Sequence, residues 1–523
     1  MQNDVRPGSL SVHVTHDTLT GELPSMPAWL KDARQASSQL PWADGKIAGS
    51  IKLSLGELTR RLNKAEICDS DIIAVPGAIV VLPWGVALCE RFAQFVRDIY
   101  GELELQEYAY PQVVPEGCFS PMADLLDLQR CLLHVGTDQD STEGRTRGVL
   151  TPTGEQVIAN HWQHAVSRSD MLPIRLYQRA RYFRPISSAD RSGKGVFSAL
   201  EAPDVFEFHC CHATEAGASD DLRRLVRGLL EISDTLPIPQ FIGVRPPWGN
   251  RNDLYEWGVG GDTPLLSGEC VQTSAAYFQG QRLSRRYDIG FGKKEQRRHA
   301  WQVDGFVSRR MMYAQLGLST LADGSLIVHP NLAPIQITIL ARSQFESERQ
   351  ALQLTVEGIK SRGLRVTIDF VSDAHVMSAR IKQLRARGVP LLLLYFGRRH
   401  VEDAARIRLC RPDNEQELAI DENDDLPEVL LKALADVEAS VNQLVHSQVR
   451  SLIAFAQTET QAKEMLAARK CVVAPIAPTR ANVEAVASWR MGELCSFAAA
   501  EDVAPCIFSG RPTRARALLS RRI

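Results

Sequence analysis

No stretch of this sequence stays apolar for the roughly 20 residues that a bilayer-spanning helix needs, so no membrane partner is expected. The start, MQNDVRPGSL, lacks a basic cluster followed by an apolar core. No secretory signal is therefore expected, and the expected compartment is the cytoplasm. Cysteine is present at 11 positions, yet never as CxxC or another metal-like pairing. Cys210 and Cys211 are adjacent, a poor arrangement for a disulfide, and reduced, mostly buried thiols are the expectation. Charge of one sign is also lacking: the net charge is −2 over 523 residues, so any nucleic-acid surface must be a local patch. No internal repeat is visible.

What is there is ordinary for a globular chain of two to four domains, with 44% hydrophobic and 23% charged residues. Residues 1–51 mix Ser, Thr, Asp and Pro with little periodicity and read as an N-terminal extension, with Trp29 and Trp42 as candidate anchors. LGELTRRLNKAEI then reads as an amphipathic helix and GAIVVLP as a strand. In WGVALCERFAQFVRDIYG, Leu88, Cys89, Phe92, Phe95, Val96 and Ile99 recur at spacings of three and four, one buried helical stripe. Up to about residue 330, short strands such as VFEFHCCHA, RRYDIGFG and SLIVHP predict an antiparallel sheet with helices packed on it. From 335 to 445 the pattern becomes βαβα, which predicts a parallel sheet covered on both faces. DENDDLPE reads as a solvated acidic turn, and PEVLLKALADVEASVNQLVHSQV as a long helix leading to a small αβ unit. The fold class is α/β (α+β).

Nine segments carry more specific information. In order they are GAIVVLPWGVALCE, YAYPQVVPEGCF with Pro111, LTPTGEQVI, MLPIRLYQRARYFR, VQTSAAYFQGQRLSRRYDI, WQVDGFVSRRM, SLIVHPNLAPIQITIL, VPLLLLYFG and CIFSGRPTRARALLSRRI. Together they resemble prolyl-tRNA synthetases of the archaeal and eukaryotic type, a class II aminoacyl-tRNA synthetase family. The resemblance runs from about 52 to 523. It implies a class II catalytic domain over 52–332 built on an antiparallel sheet. It further implies an anticodon-binding-like α/β domain over 333–445 and a C-terminal αβ domain over 446–523. Such enzymes join an amino-acid carboxylate to the α-phosphate of ATP, with Mg2+, and pass the acyl group to tRNA. That chemistry relies on positioning and charge more than on covalent help, and a planar guanidinium suits both phosphate and carboxylate.

By this resemblance Arg184 is the motif 2 arginine that clamps phosphate, and Gln272 lies at a nucleotide-binding position. Arg309 and Arg310 compete for the motif 3 arginine: an ungapped match of WQ and Ser308 selects Arg310, whereas matching Gly305 selects Arg309. Thr153 and Glu155 match the Thr-x-Glu loop, with Glu155 implied to hold the amino or imino nitrogen of the substrate. The same two residues also suit a helix start, Thr153 as N-cap and Glu155 in the first turn. Tyr277 replaces a pocket histidine, and His212 is carried over as substrate-binding. A homodimer is implied, because motif 1 commonly forms the subunit interface.

The departures from the family are equally specific. Ile186 stands where a glutamate should meet the adenine side of ATP, and an isoleucine accepts no hydrogen bond. Glu201 and Asp204 stand near where an arginine is expected, Cys210 where a carboxylate is expected, and Gly305 where a tryptophan is expected. Of four zinc cysteines only Cys506 remains, and one thiolate cannot build a tetrahedral site, so no zinc is expected. Basic clusters at Arg282, Arg285 and Arg286, at Lys293, Lys294, Arg297 and Arg298, at Arg398 and Arg399, and at Arg511, Arg514, Arg516, Arg521 and Arg522 permit contact with tRNA. Three functions fit: a ligase activating proline or another amino acid for tRNA, a paralogue activating amino acids outside translation, and a non-catalytic tRNA-binding homologue.

Overall fold

The computed structural model describes residues 53–70, 79–124, 132–136, 148–185, 195–197, 201–246, 254–397, 406–421 and 424–521. The expected N-terminal extension, Ile186, Arg398 and Arg399 lie outside them.

Helix α1, Leu55–Lys64, starts at a capping box: the Glu57 amide donates to Ser54 Oγ at 3.2 Å and the Ser54 amide donates back to Glu57 Oε2 at 2.8 Å. Helix α2, Pro83–Glu102, begins with a proline at a position whose N–H has no helical partner in any case. Of the stripe read from the sequence it buries Leu88, Cys89, Phe92, Val96 and Ile99, while Phe95 is only partly buried. That stripe packs on one face of a sheet and on helix α4, Glu215–Thr235. Between them in sequence lies helix α3, Glu155–Ala165.

The sheet has 11 strands, and these hold the site. In chain order they begin with β1, Gln106–Glu107; β2, Ile174–Phe183; β3, Glu201–His212; β4, Phe241–Val244; β5, Trp257–Pro264; β6, Cys270–Gly280; and β7, Trp301–Ser308. Strands β5, β6, β7, β3 and β2 are neighbours in that order, all antiparallel. Helix α5, Arg310–Leu318, follows β7 directly.

A second sheet holds β8, Ile337–Arg342; β9, Val366–Phe370; β10, Leu391–Phe396; β11, Ile407–Arg411; and β12, Gln416–Ile420, in the order β9-β8-β10-β11-β12. Helices α6, Glu346–Lys360, and α7, Ala374–Ala386, make the crossovers. The βαβα reading correctly finds the parallel core β9-β8-β10, but β11 and β12 add antiparallel, so the sheet is mixed. A hairpin can return along a sheet edge without a crossover, and the sequence pattern between 397 and 420 does not distinguish the two.

Helix α8, Leu426–Leu452, leads to β13, Ile453–Phe455; β14, Cys471–Pro475; β15, Glu493–Pro505; and β16, Pro512–Ser520. Phe497 of β15 pairs with Val244 of β4, so these strands continue the 11-stranded sheet.

Two strand readings do not hold. In SLIVHP only Leu326 forms a bridge, with Thr320; the amides of Ile327 and Val328 donate to loop carbonyls of Ser319 and Gly388. In RRYDIGFG the arginines belong to a short helix, Arg282–Arg286, and only Gly290–Phe291 is extended. The apolar residues of both segments, among them Ile327, Val328, Tyr287, Ile289 and Phe291, are buried, and burial alone does not specify an extended backbone. Among the described residues no helix is long and apolar enough to cross a membrane.

Candidate active site

Strand alternation decides which side chains meet over the sheet. Successive residues of a strand point to opposite faces. On β3, Phe206, Phe208 and Cys210 enter the core beneath α2 and α4, while Glu207 and His209 face the other way, where the His209 ring meets Trp162 of α3 edge-on. A cavity opens on that second face. It is lined by Thr153 and Glu155 from the start of α3, by Arg184 after β2, by Gln272 and Tyr277 of β6, and by Arg309 and Arg310 after β7. Seven of the eight site residues read from the sequence thus border one cavity.

His212 does not. It is buried on the α4 face with Nε2 3.0 Å from Asp221 Oδ2, and Cys210 lies beside them. The position-210 carboxylate looked for in the sequence has no role in the cavity either. A carboxylate of the same strand that does face it is Glu207, three residues earlier. Cys210, His212 and Asp221 are grouped closely enough for a metal ion. The Asp221 oxygens, however, take hydrogen bonds from Arg175 Nε at 2.6 Å and Arg224 Nη1 at 3.2 Å, so the carboxylate already serves two cations.

The start of α3 differs from the N-cap expected. Gly154, not Thr153, holds the cap position, and the Thr153 hydroxyl donates to the Glu155 carboxylate. The reason for Gly154 is steric. A Cβ there would stand under 3.0 Å from Glu207 Oε2, Gln178 Nε2 and the Tyr182 hydroxyl. The loop therefore rests directly on a buried polar network, in which Tyr182 and Gln178 both donate to Glu207 and His209 Nε2 lies 3.5 Å from it. Burial by itself would raise the Glu207 carboxyl; the His209 charge and these hydrogen bonds hold it below its usual range. Burial would likewise lower His209, and Glu207 raises it above its usual range.

The two competing arginines part company. Arg309 is buried, its Nη1 3.1 Å from Asp204 Oδ2 and its guanidinium 5.4 Å from the Tyr313 ring centre. Arg310 has no carboxylate partner among the described residues, and its pKa is lowered to about 10 by burial and by the nearby Arg184 charge. The Arg184 Nε in turn donates to the Pro152 carbonyl at 2.9 Å, which ties it to the Thr-x-Glu loop. The acidic pair that looked out of place proves structural. Glu201 pairs with Arg181, and Asp204, at φ 52°, joins Arg179 to Arg309. Aspartate tolerates that left-handed backbone better than most residues.

Tyr277 accepts a hydrogen bond from Gln272 Nε2 at 3.2 Å and its ring packs on Tyr255, with centroids 4.7 Å apart. At Gly305 a Cβ would stand under 3.0 Å from the Ala275 carbonyl oxygen and from Phe208, so no side chain fits. Asp304 beside it is buried and was missed in the sequence, as were Glu207, His209 and Gln279. The available signal was period two: Glu207 and His209 alternate with phenylalanines in VFEFHCCH, and Asp304 interrupts an apolar run in WQVDGFV. The basic clusters are partly consumed internally. Arg286 pairs with Asp124, Arg297 with Asp288, and buried Arg516 with Asp502.

No family model matches the chain. Individual proteins do. A proline–tRNA ligase of Pyrobaculum neutrophilum is 26% identical over 423 residues, 79% of this chain and 84% of the relative. One from Ignicoccus hospitalis is 23% identical over 430 residues, 79% and 86%. One from Bacteroides fragilis is 22% identical over 487 residues, 88% and 95%. The solved structure of Giardia lamblia prolyl-tRNA synthetase in complex with prolyl-adenylate shares the fold, with a TM-score of 0.77 at 19% identity. It covers 91% of this chain and 100% of that one.

Proposed function

We propose that this class II prolyl-tRNA synthetase-like chain is an ATP-dependent ligase. It would activate proline or another amino acid as an adenylate and transfer the acyl group to tRNA. The observation that carries the reading is the Arg310 guanidinium, partly buried in a cavity beside Arg184, without a carboxylate partner among the described residues. Two cations brought together at a cost in free energy form a site for a polyanion.

In this reading the triphosphate of ATP, arriving as its Mg2+ complex, lies between them. Arg184 holds the α-phosphate and the substrate carboxylate, Arg310 the γ-phosphate, and Gln272 a further part of the nucleotide. Glu155, oriented by Thr153, accepts the substrate ammonium or imino nitrogen. A carboxylate oxygen then attacks the α-phosphorus, pyrophosphate leaves, and a mixed anhydride forms. In the second step a terminal ribose hydroxyl of tRNA attacks the acyl carbon, loses its proton, and AMP leaves. Tyr277, anchored on Tyr255, forms a wall of the amino-acid pocket.

We also propose that two copies pair through the YAYPQV segment, where Tyr108 and Val113 are 36% and 50% exposed. Large apolar side chains left in water on one segment suit an interface. Sedimentation as a monomer at micromolar concentration refutes the pairing. ATP–pyrophosphate exchange with a panel of amino acids tests activation, and charging of total tRNA tests transfer. No exchange with any amino acid refutes the ligase.

A further inference from the structure

On the adenylate-forming reading above, one end of the cavity asks for something proline does not carry. Asp304 and Gln279 are buried, 4% and 3% exposed, and both line the cavity. Gln279 Nε2 donates to Asp304 Oδ2 at 2.8 Å. That contact leaves Asp304 Oδ1 and Gln279 Oε1, two buried acceptors, with no hydrogen-bond partner among the described residues. Buried acceptors are costly when unpaired and are nearly always satisfied. Their neighbours do not help. Glu155 is a carboxylate engaged by Thr153, and Glu207 is a carboxylate already receiving Tyr182 and Gln178.

Three carboxyl groups, Glu155, Glu207 and Asp304, therefore share the amino-acid end of the cavity, with His209 as the cation paired to Glu207. The substrate nitrogen assigned to Glu155 is one donor. The ring carbons of proline offer no second one, so a bound proline would seal Asp304 Oδ1 and Gln279 Oε1 away unpaired. An ammonium group brings up to three donors and a charge opposite to the carboxylate. A hydroxyl brings one donor and no charge.

We infer that the amino acid this site selects carries a second basic nitrogen on its side chain, received by Asp304 and Gln279. Asp304 is thus a specificity-determining residue. Burial and the charges of Glu155 and Glu207 push its carboxyl upward against the opposing His209 charge, and a cationic side chain would favour the carboxylate and supply its missing partner.

The experiment measures binding and activation separately on the full chain. Calorimetry without ATP compares proline, 4-hydroxyproline, 2,4-diaminobutyrate, ornithine and lysine; ATP–pyrophosphate exchange is run on the same panel. The expected result is that at least one diamino acid binds and exchanges about tenfold to a hundredfold better than proline, the range for one charged hydrogen bond. In Asp304→Asn the amide keeps the bond from Gln279 and turns an NH2 toward the substrate; that preference should fall to within about twofold. Proline or hydroxyproline binding as well as every diamino acid overturns the inference. So does an unchanged preference in folded Asp304→Asn. Should that variant fail to fold, the wild-type panel decides alone. Diamino-acid binding without exchange keeps the inference and refutes the ligase, whereas no amino-acid binding at all overturns the inference.

Discussion

Replacing Arg310 by alanine separates stability from activity in a way that a mere surface arginine does not. Arg310 is charged at neutral pH both folded and unfolded, because even its lowered pKa, about 10, stays above 7. Its fall from the ordinary arginine value to about 10 corresponds to roughly 3 kcal/mol by which the folded state disfavours this charge. For a base with a depressed folded pKa the penalty is fully present below the folded value and is relieved as pH rises from about 10 toward the ordinary arginine value. At pH 7 the whole cost therefore falls on the free protein. Alanine removes the charge, and some aliphatic packing with it, so a net gain of about 1–2 kcal/mol is expected. The melting temperature of the ligand-free chain should rise by a few degrees. Exchange activity should drop about a hundredfold, the loss typical of one preorganised charge contact. Stabilisation by added ATP should shrink in parallel. Differential scanning fluorimetry with and without ATP, beside pyrophosphate exchange, measures all three. A lower melting temperature, or exchange within twofold of wild type, refutes the placement of Arg310 at the phosphates.

Gly154→Ala should cost more than 2 kcal/mol in urea unfolding and abolish exchange, because its Cβ meets Glu207, Gln178 and Tyr182 together. Equal stability to wild type would contradict that contact. His212→Ala should destabilise by about 1–3 kcal/mol, since it removes a buried contact with Asp221 while Arg175 and Arg224 still hold that carboxylate. In the folded fraction the KM for the amino acid should stay unchanged; a raised KM would return His212 to the pocket. The Glu207–His209 pair predicts a pH window. His209 is raised, so its contribution is complete below its unfolded value of 6.5 and is lost as pH climbs through the folded value. Glu207 is lowered, so its contribution is complete above 4.5 and fades as pH falls through its folded value. Stability should therefore decline on both sides of this range, and His209→Gln should flatten the alkaline limb in pH-dependent melting.

Much of the site was legible because it lies in short local motifs. Thr153, Glu155, Arg184, Gln272 and Tyr277 each sit within a segment whose neighbours locate it, and all line one cavity. Where reading failed, the deciding contact joined residues far apart. Asp204 and Glu201 looked like damage to a nucleotide site until Arg179, Arg309 and Arg181 were seen beside them. Gly305 looked like a lost tryptophan, yet the Ala275 carbonyl on the adjacent strand leaves no room for any side chain. Cys210 and His212 were put in the pocket by matching family positions along the strand. One step along a strand reverses the face, and only the packing of α4 on β3 settles which face is which.

The sequence by itself determined the order of helices and strands, the apolar stripes that bury them, and the loop that presents Thr153 and Glu155, since these depend on periodicity and on residues within a few positions. It also contained both arginines of the expected phosphate site. The tertiary structure alone decided that Arg310 rather than Arg309 is without a carboxylate partner among the described residues. It alone put Glu207, backed by His209, and Asp304 over the same cavity, and it carried the C-terminal strands into the large sheet through Phe497 and Val244. Each of these depends on Coulomb interactions or close contacts between residues distant in the chain. Such terms vary with separation in space, which a linear order of residues does not specify.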